Sequence, residues 1–184
     1  MRTLFLYRNW PGRLASTGRF PLRTFAERSA EHLKRWTLVY VGLAAIALWF
    51  HAHYGFGLNA SPSLPHRLFL IHKGEMPGRG DFVAFRWAGG GPYPAGVTFI
   101  KVLAGIPGDE VTRDAQGFHL NGIPVGVPKP ESRHGQVLEP GPTGRIPQGR
   151  YYVQAGHPDS LDSRYQLTGW IHASQIIGRA RALF

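Results

Sequence analysis

Along most of the chain, apolar and polar positions trade places every few residues. One stretch breaks that rhythm. From Trp36 to Phe50 there is no charged side chain, and aromatic residues stand at both ends, Trp36 on one side and Trp49-Phe50 on the other. Such a run predicts an apolar helix with an interfacial aromatic belt. It is shorter than the ~20 residues of an ordinary bilayer span. Ala52 through Leu58 extend it with only His51 and His53 as polar breaks, so the span expected is 36–57. Thr24 to Arg35 predicts a short helix just ahead of it.

Beyond the span the apolar runs shrink to strand length and turn residues separate them. Strands are predicted at Leu68–Ile71, Phe82–Trp87 and Tyr151–Gln154, and over the run from Thr98 toward Asp109, with Gly169–Ile171 and Ile176–Ala180 closing the domain. Phe118-His119-Leu120 and Ile123-Pro124-Val125 flank Asn121-Gly122, a strong two-residue hairpin signal. Residues 126–149 are rich in Pro and Gly and predict a long surface loop. The fold class expected is mainly β: one irregular β domain over 58–184, preceded by a single N-terminal transmembrane helix.

Charge changes the picture at the N-terminus. The formal net charge is +10, and residues 1–35 hold eight basic side chains against Glu27 and Glu31 (8 − 2 = +6). A buried core helix would not explain that concentration. A cleavable signal peptide would have a shorter basic region and an Ala-x-Ala exit. A signal anchor fits both features. The positive-inside rule then keeps residues 1–35 as a cytoplasmic tail and carries the chain from about residue 55 onward across the membrane. Much of the basic charge thus belongs to the lipid surface, and the mildly basic remainder argues against nucleic acid as a partner. There is no cysteine, which excludes disulfides, thiolate catalysis and cysteine-bound zinc. The nine histidines show no His-Glu-x-x-His pattern. His51 and His53 read as polar flanks of the span, so no metal and no cofactor is expected.

One residue in the Thr98–Asp109 run stands out chemically. Lys101 lies among Phe99, Ile100, Val102 and Leu103, and alternation sets Phe99, Lys101 and Leu103 on one strand face. An ammonium group among apolar neighbours is poorly hydrated and its pKa falls. The chain has four lysines (Lys34, Lys73, Lys101 and Lys129) and otherwise uses arginine, which cannot lose its proton. A plain alternative is that Lys101 snorkels to solvent. Ser63, 38 residues earlier (101 − 63), supplies a hydroxyl just past the span, in Asn59-Ala60-Ser61-Pro62-Ser63-Leu64-Pro65. Alone, that segment reads as a juxtamembrane linker. With a neutral lysine as base, Ser63 becomes a nucleophile. Ser61 offers a second hydroxyl to an oxyanion beside the Ser63 N–H. Ser160, Asp162 and Arg164 present a hydroxyl, a carboxylate and a guanidinium at alternate positions, suited to holding a lysine amine.

Four blocks, in order, resemble the S26 family of membrane-bound signal peptidases. Ser61-Pro62-Ser63-Leu64-Pro65 is similar to its serine box. Gly80-Asp81-Phe82-Val83-Ala84-Phe85 is similar to its Gly-Asp strand, and Phe99 through Asp109 to its lysine box. Ser160-Leu161-Asp162-Ser163-Arg164-Tyr165 is similar to its Ser-x-Asp-Ser-Arg box. The resemblance implies the family's irregular signal-peptidase-like β fold and a groove that takes an extended substrate as an added strand. It implies Ser63 as nucleophile, Lys101 as general base, Ser61 as oxyanion donor, Ser160 orienting Lys101, and Asp162 with Arg164 as buttress. The partner implied is a precursor protein with small residues at −1 and −3 of the cleavage site. The shortened serine box, Leu64, Val102 and the compact domain are most like the TraF-type conjugative transfer peptidases. Those are associated with pilin maturation for type IV secretion, including joining the pilin's ends. Two other readings stand beside this one: a general leader peptidase, and a non-catalytic membrane-anchored β scaffold of a secretion or pilus complex.

Overall fold

The structure, a computed structural model, describes residues 22–132 and 135–184; residues 1–21, the larger part of the expected basic tail, and 133–134 lie outside the described residues. The chain divides into two units, one ending at Ala45 and one running Ile46–Phe184.

Helix α1 runs continuously from Leu22 to His53 and absorbs the short helix expected at Thr24–Arg35. It is long and apolar enough to cross a membrane, and Leu38, Val41, Ile46 and Leu48 are exposed along it. From Trp36 to His53 it carries no lysine, arginine or carboxylate. At about 1.5 Å per residue this stretch covers about 27 Å, near the ~30 Å of a hydrocarbon core. The expected end of the span needs correction. Residues 54–57 are not helical; Tyr54–Leu58 form strand β1, which pairs antiparallel with β2 (Leu68–Lys73). Two causes are visible. Gly55 and Gly57 are poor helix formers, and β1 packs closely enough that a Cβ on Gly57 would meet Ile100 Cδ1 at 2.6 Å and push that side chain aside. The Lys73 ammonium also donates to the His51 carbonyl at 2.6 Å, satisfying an acceptor that the end of the helix leaves open.

The remaining strands are β3 (Phe82–Arg86), β4 (Thr98–Gly105), β5 (Glu110–Asp114), β6 (Gly117–Leu120), β7 (Ile123–Gly126), β8 (Gly144–Arg145), β9 (Arg150–Gln154), β10 (Ile171–His172) and β11 (Ile176–Ala182). They form a seven-stranded sheet in the order β1-β2-β11-β3-β4-β9-β10 and a four-stranded sheet in the order β7-β6-β5-β8. The period of two sorts the large sheet's side chains. Phe69, Ile71, Ala84, Ile100 and Leu64 make one core cluster; Val83, Phe85, Leu103, Val153 and Ile171 make another. Covering on both faces explains why Phe82–Phe85 reads as an unbroken apolar run. The hairpin forms as expected, with Asn121 at φ 50° and Gly122 at φ 78°, the left-handed pair of a type I′ turn.

The 126–149 segment is more than a surface loop. Ile146 is buried with Val111, Phe118 and Tyr152 beneath the small sheet, and β8 pairs with β5. At the end of the β4 strand, Asp109 accepts from Ile106 N–H, Asn121 Nδ2 and Arg79 Nη2, each at 2.8 Å. The Arg79 hydrogen bond, against the opposing effect of burial, holds its carboxyl down at about 2.

The close approach of β11 to β2 depends on Gly178, where an added Cβ would run into the His72 carbonyl. Gly178→Ala is expected to cost about 1–3 kcal/mol, the usual penalty of overpacking. Thermal unfolding measures it, and an unchanged midpoint would contradict this packing.

Candidate active site

Lys101 sits in the middle of β4, opposite Val83 of β3. Its Val83, Phe99 and Leu103 neighbours belong to the apolar cluster on that face. On the other side β9 stops at Gln154, which pairs with Val102. The chain then folds back over the vacated register. The return is stitched to the end of β9: Val153 N–H donates to Ser163 Oγ at 2.9 Å, Ser163 N–H to the Val153 carbonyl at 3.0 Å, and Ala155 N–H to Asp162 Oδ2 at 3.1 Å. This return puts Ser160 onto the lysine, with Lys101 Nζ donating to Ser160 Oγ at 2.7 Å.

Arg164 organises the turn from inside. Its Nε and Nη2 donate to the two Asp162 oxygens, each at 2.8 Å, and Nη2 also reaches the carbonyls of His157 and Ser160. Asp162 is 0% exposed and Arg164 4%. A planar, bidentate pair of this kind tolerates burial better than a lone charge, the more so because Nη2 and both Asp162 oxygens have further partners. The far side of the same turn is clamped by Gly141, whose N–H donates to the Arg164 carbonyl at 2.7 Å. A side chain at Gly141 would collide with the Ser163 carbonyl. Nothing in the composition of the 126–149 loop signals this role.

Lys101 is 5% exposed. Burial pulls its ammonium from the ordinary 10.5 down to about 8; the Asp162 carboxylate opposes that shift and the Arg164 guanidinium adds to it. The Nζ also lies 5.9 Å from the centre of the Phe99 ring, an apolar wall braced by Trp87 and Tyr93. At neutral pH a tenth or so of such amines are unprotonated, a fraction that grows steeply up to about pH 8.

Ser61 and Ser63 reach the site from the turn after β1. Ser63 is 7% exposed, and its Oγ accepts from Ser61 Oγ at 2.9 Å. Ser61, Ser63, Lys101 and Ser160 all line one cleft of about 490 Å³. Among the described residues no hydrogen bond joins Ser63 directly to Lys101. Asp162 and Arg164 stand behind the cleft wall rather than on it. Leu58, Tyr93, Val97, Phe99, Leu138 and Leu167 supply an apolar lining, suited to an extended apolar peptide. No group of His, Asp and Glu side chains among the described residues could hold a metal ion.

Asn59, a linker residue by its sequence context alone, is part of the site. Its side chain touches both serines. The signal that was available is the Asn-x-Ser spacing, since an asparagine commonly caps the backbone two residues on.

A family model described as signal peptidase, peptidase S26 matches residues 29–184. Among solved structures, the crystal structure of a signal peptidase I from Enterococcus faecalis V583 is 24% identical. It covers 57% of this chain and 97% of its own, with a TM-score of 0.39. No curated protein matches this chain.

Proposed function

We propose, from the premise that this chain belongs to the S26 signal peptidase family, that it is a Ser63/Lys101 endopeptidase maturing a pilin-like exported precursor. The coarse part comes with membership: S26 proteins are membrane-anchored serine peptidases that process precursor proteins. The finer assignment rests on one observation above all. A desolvated lysine amine, fixed by Ser160, lines the same cleft as the Ser63 hydroxyl.

In this reading the neutral Lys101 Nζ takes the proton from Ser63 Oγ as the oxygen attacks the scissile carbonyl carbon. Ser61 Oγ turns from Ser63 toward the oxyanion and donates to it beside the Ser63 N–H. Lys101 then gives the proton to the departing amine, leaving an acyl group on Ser63. A water, deprotonated by the same amine, hydrolyses the ester and frees the serine. An amine from the precursor's own N-terminus can replace that water, forming a peptide bond and closing a ring. Asp162 and Arg164 hold the Ser160 turn and set the charge felt by Lys101. α1 anchors the enzyme in the inner membrane with its N-terminus in the cytoplasm and the β domain in the periplasm.

The substrate question has a direct test. The membrane-embedded full chain is mixed with a small hydrophobic pilin precursor, and the product is weighed by mass spectrometry. Ring closure predicts a mass one water below that of the trimmed linear product, and hydrolysis predicts the linear mass itself. Equal cleavage of unrelated signal-peptide precursors would instead favour a general leader peptidase. No cleavage of any precursor by the native chain, with Ser63→Ala indistinguishable from it, would favour a scaffold.

A further inference from the structure

We propose that Asn59 is a positioning residue of the nucleophile turn: its side-chain amide bridges Ser61 to His66 and holds the Ser61 and Ser63 hydroxyls in their resting orientation. This rests on the Ser63/Lys101 reading.

The bonds define the amide's orientation. Asn59 Oδ1 accepts from Ser61 N–H at 3.4 Å and from Ser63 Oγ at 3.4 Å, and at 3.1 Å from Ser61 Oγ it shares that hydroxyl's single proton with Ser63 Oγ at 2.9 Å. Its Nδ2 donates to the Leu64 and His66 carbonyls at 3.4 and 3.3 Å. A backbone N–H can only donate and a carbonyl can only accept, so flipping the amide would set like against like at both ends. The Asn59 N–H closes the same loop on the Arg67 carbonyl at 2.8 Å. Each side-chain bond is long and individually weak. Together they tie the turn that carries both hydroxyls to the start of the chain's return toward β2. Two prolines, Pro62 and Pro65, stiffen the turn but supply no N–H of their own.

The consequence for the reaction is a competition. In the resting site the Ser63 hydroxyl has the Asn59 amide oxygen as its acceptor at 3.4 Å, and the lysine is engaged by Ser160. Ser63 must turn from the amide oxygen toward Lys101 before its proton can move. Asn59 therefore fixes the starting point of that rotation, and it keeps Ser61 close enough to serve the oxyanion afterwards. The pull is modest, in keeping with a bond that must break in each turnover.

The test compares Asn59→Ala and Asn59→Asp in the full chain, in detergent, on a fluorogenic precursor peptide with Ala at −1 and −3. Readouts are kcat, KM, the pH profile and thermal midpoint. Asn59→Ala is expected to lose about 10- to 100-fold in kcat, the scale at which misplaced reacting groups cost rate, with KM within threefold. Asn59→Asp keeps an acceptor for both serines, loses the bonds to the Leu64 and His66 carbonyls as the alanine variant does, and adds a negative charge beside the site. Its alkaline-rising limb should move to higher pH, and above that limb its kcat should exceed that of the alanine variant severalfold. The charges already facing Lys101 are Asp162 and Arg164. Lys129, Glu131, His157 and Asp159 line the same cleft. They are common to all variants, so a displaced limb reports residue 59. A purely structural role would lower the thermal midpoint without moving the limb. The proposal is overturned if Asn59→Ala keeps kcat within threefold of the native chain. It is equally overturned if Asn59→Asp matches the alanine variant with its limb in the native position. Should the alanine variant not fold, the limb of Asn59→Asp decides alone. Ser63→Ala and Lys101→Ala run alongside: if either cleaves normally the dyad itself is wrong, whereas dead dyad variants beside native-like Asn59 variants sink only the role given to Asn59.

Discussion

Lys101→Met is expected to stop precursor cleavage and at the same time to make the folded chain more stable at neutral pH. The two effects share one cause. Lys101 lies in the apolar face of β4, where burial holds its folded pKa near 8 against an ordinary 10.5. The difference, 10.5 − 8 = 2.5, corresponds to about 3 kcal/mol at about 1.4 kcal/mol per unit. The sign follows from proton counting. Between pH 8 and 10.5 the unfolded chain binds the proton and the folded chain does not, so stability rises with pH through that window. Below pH 8 the whole cost of burying the ammonium is present. Methionine fills similar space without a charge and removes that cost, less whatever the lost Ser160 bond and imperfect packing subtract. The gain in thermal midpoint should therefore be largest at or below pH 7 and fade toward pH 10.5. Cleavage should drop by at least about 10³-fold, near the upper range for a general base. Lys101→Arg should be equally inactive, because a guanidinium keeps the charge but cannot take the proton. A methionine variant that is both inactive and less stable at pH 7 would mean the lysine is not held as a strained, desolvated amine.

Asp162→Ala is expected to be the most destabilising single change in the site. It leaves the Arg164 guanidinium, 4% exposed, without its counter-ion, and it removes the acceptor of Ala155 N–H. Breaking one side of a buried ion pair costs about 3–5 kcal/mol, a large share of the roughly 5–15 kcal/mol that holds a domain folded. The turn bearing Ser160 depends on that pair, so cleavage should fall with stability. Asp162→Asn separates the two effects, since it keeps the shape and one acceptor oxygen. Asp162 works to raise the pKa of Lys101. Its neutral substitute should shift whatever activity remains to lower pH. Chemical denaturation and a pH profile of the two variants check both statements. A native-like unfolding midpoint for Asp162→Ala would rule out the pair as the support of the turn.

Which parts of this molecule could be read from its residues depends on how local their causes are. The hairpin at Asn121-Gly122 and the strands β2, β3 and β9 follow from short-range chemistry, and alternation alone sets Phe99, Lys101 and Leu103 on one face. β5 was invisible because Val111 is its single buried side chain in a polar Glu-Val-Thr-Arg-Asp stretch. β1 was read into the membrane span, since no charge marks where the helix stops. The partners that receive the chain there, the Lys73 cap on the His51 carbonyl and the pairing of β1 with β2, come from further along the chain. The insertion of β11 between β2 and β3 is likewise a long-range fact with no local signature. At the site, residue types and order named the serines, the lysine and the Ser160–Arg164 block. They could not show that Asp162 and Arg164 stand behind the cleft wall, that Gly141 clamps the turn, or that Asn59 reaches both hydroxyls. Those are matters of side-chain geometry that spacing does not encode.

Everything proposed for this chain depends on the amine of residue 101 giving up its proton near neutral pH. With only Lys34, Lys73, Lys101 and Lys129 present, carbon-13 labelling at the lysine ε-carbon gives a spectrum simple enough to assign, with Lys101→Met identifying the signal. This resonance should titrate near pH 8, and the rate of precursor cleavage should climb over the same interval. A Lys101 midpoint close to 10.5, with cleavage already at its plateau well below it, would contradict the account.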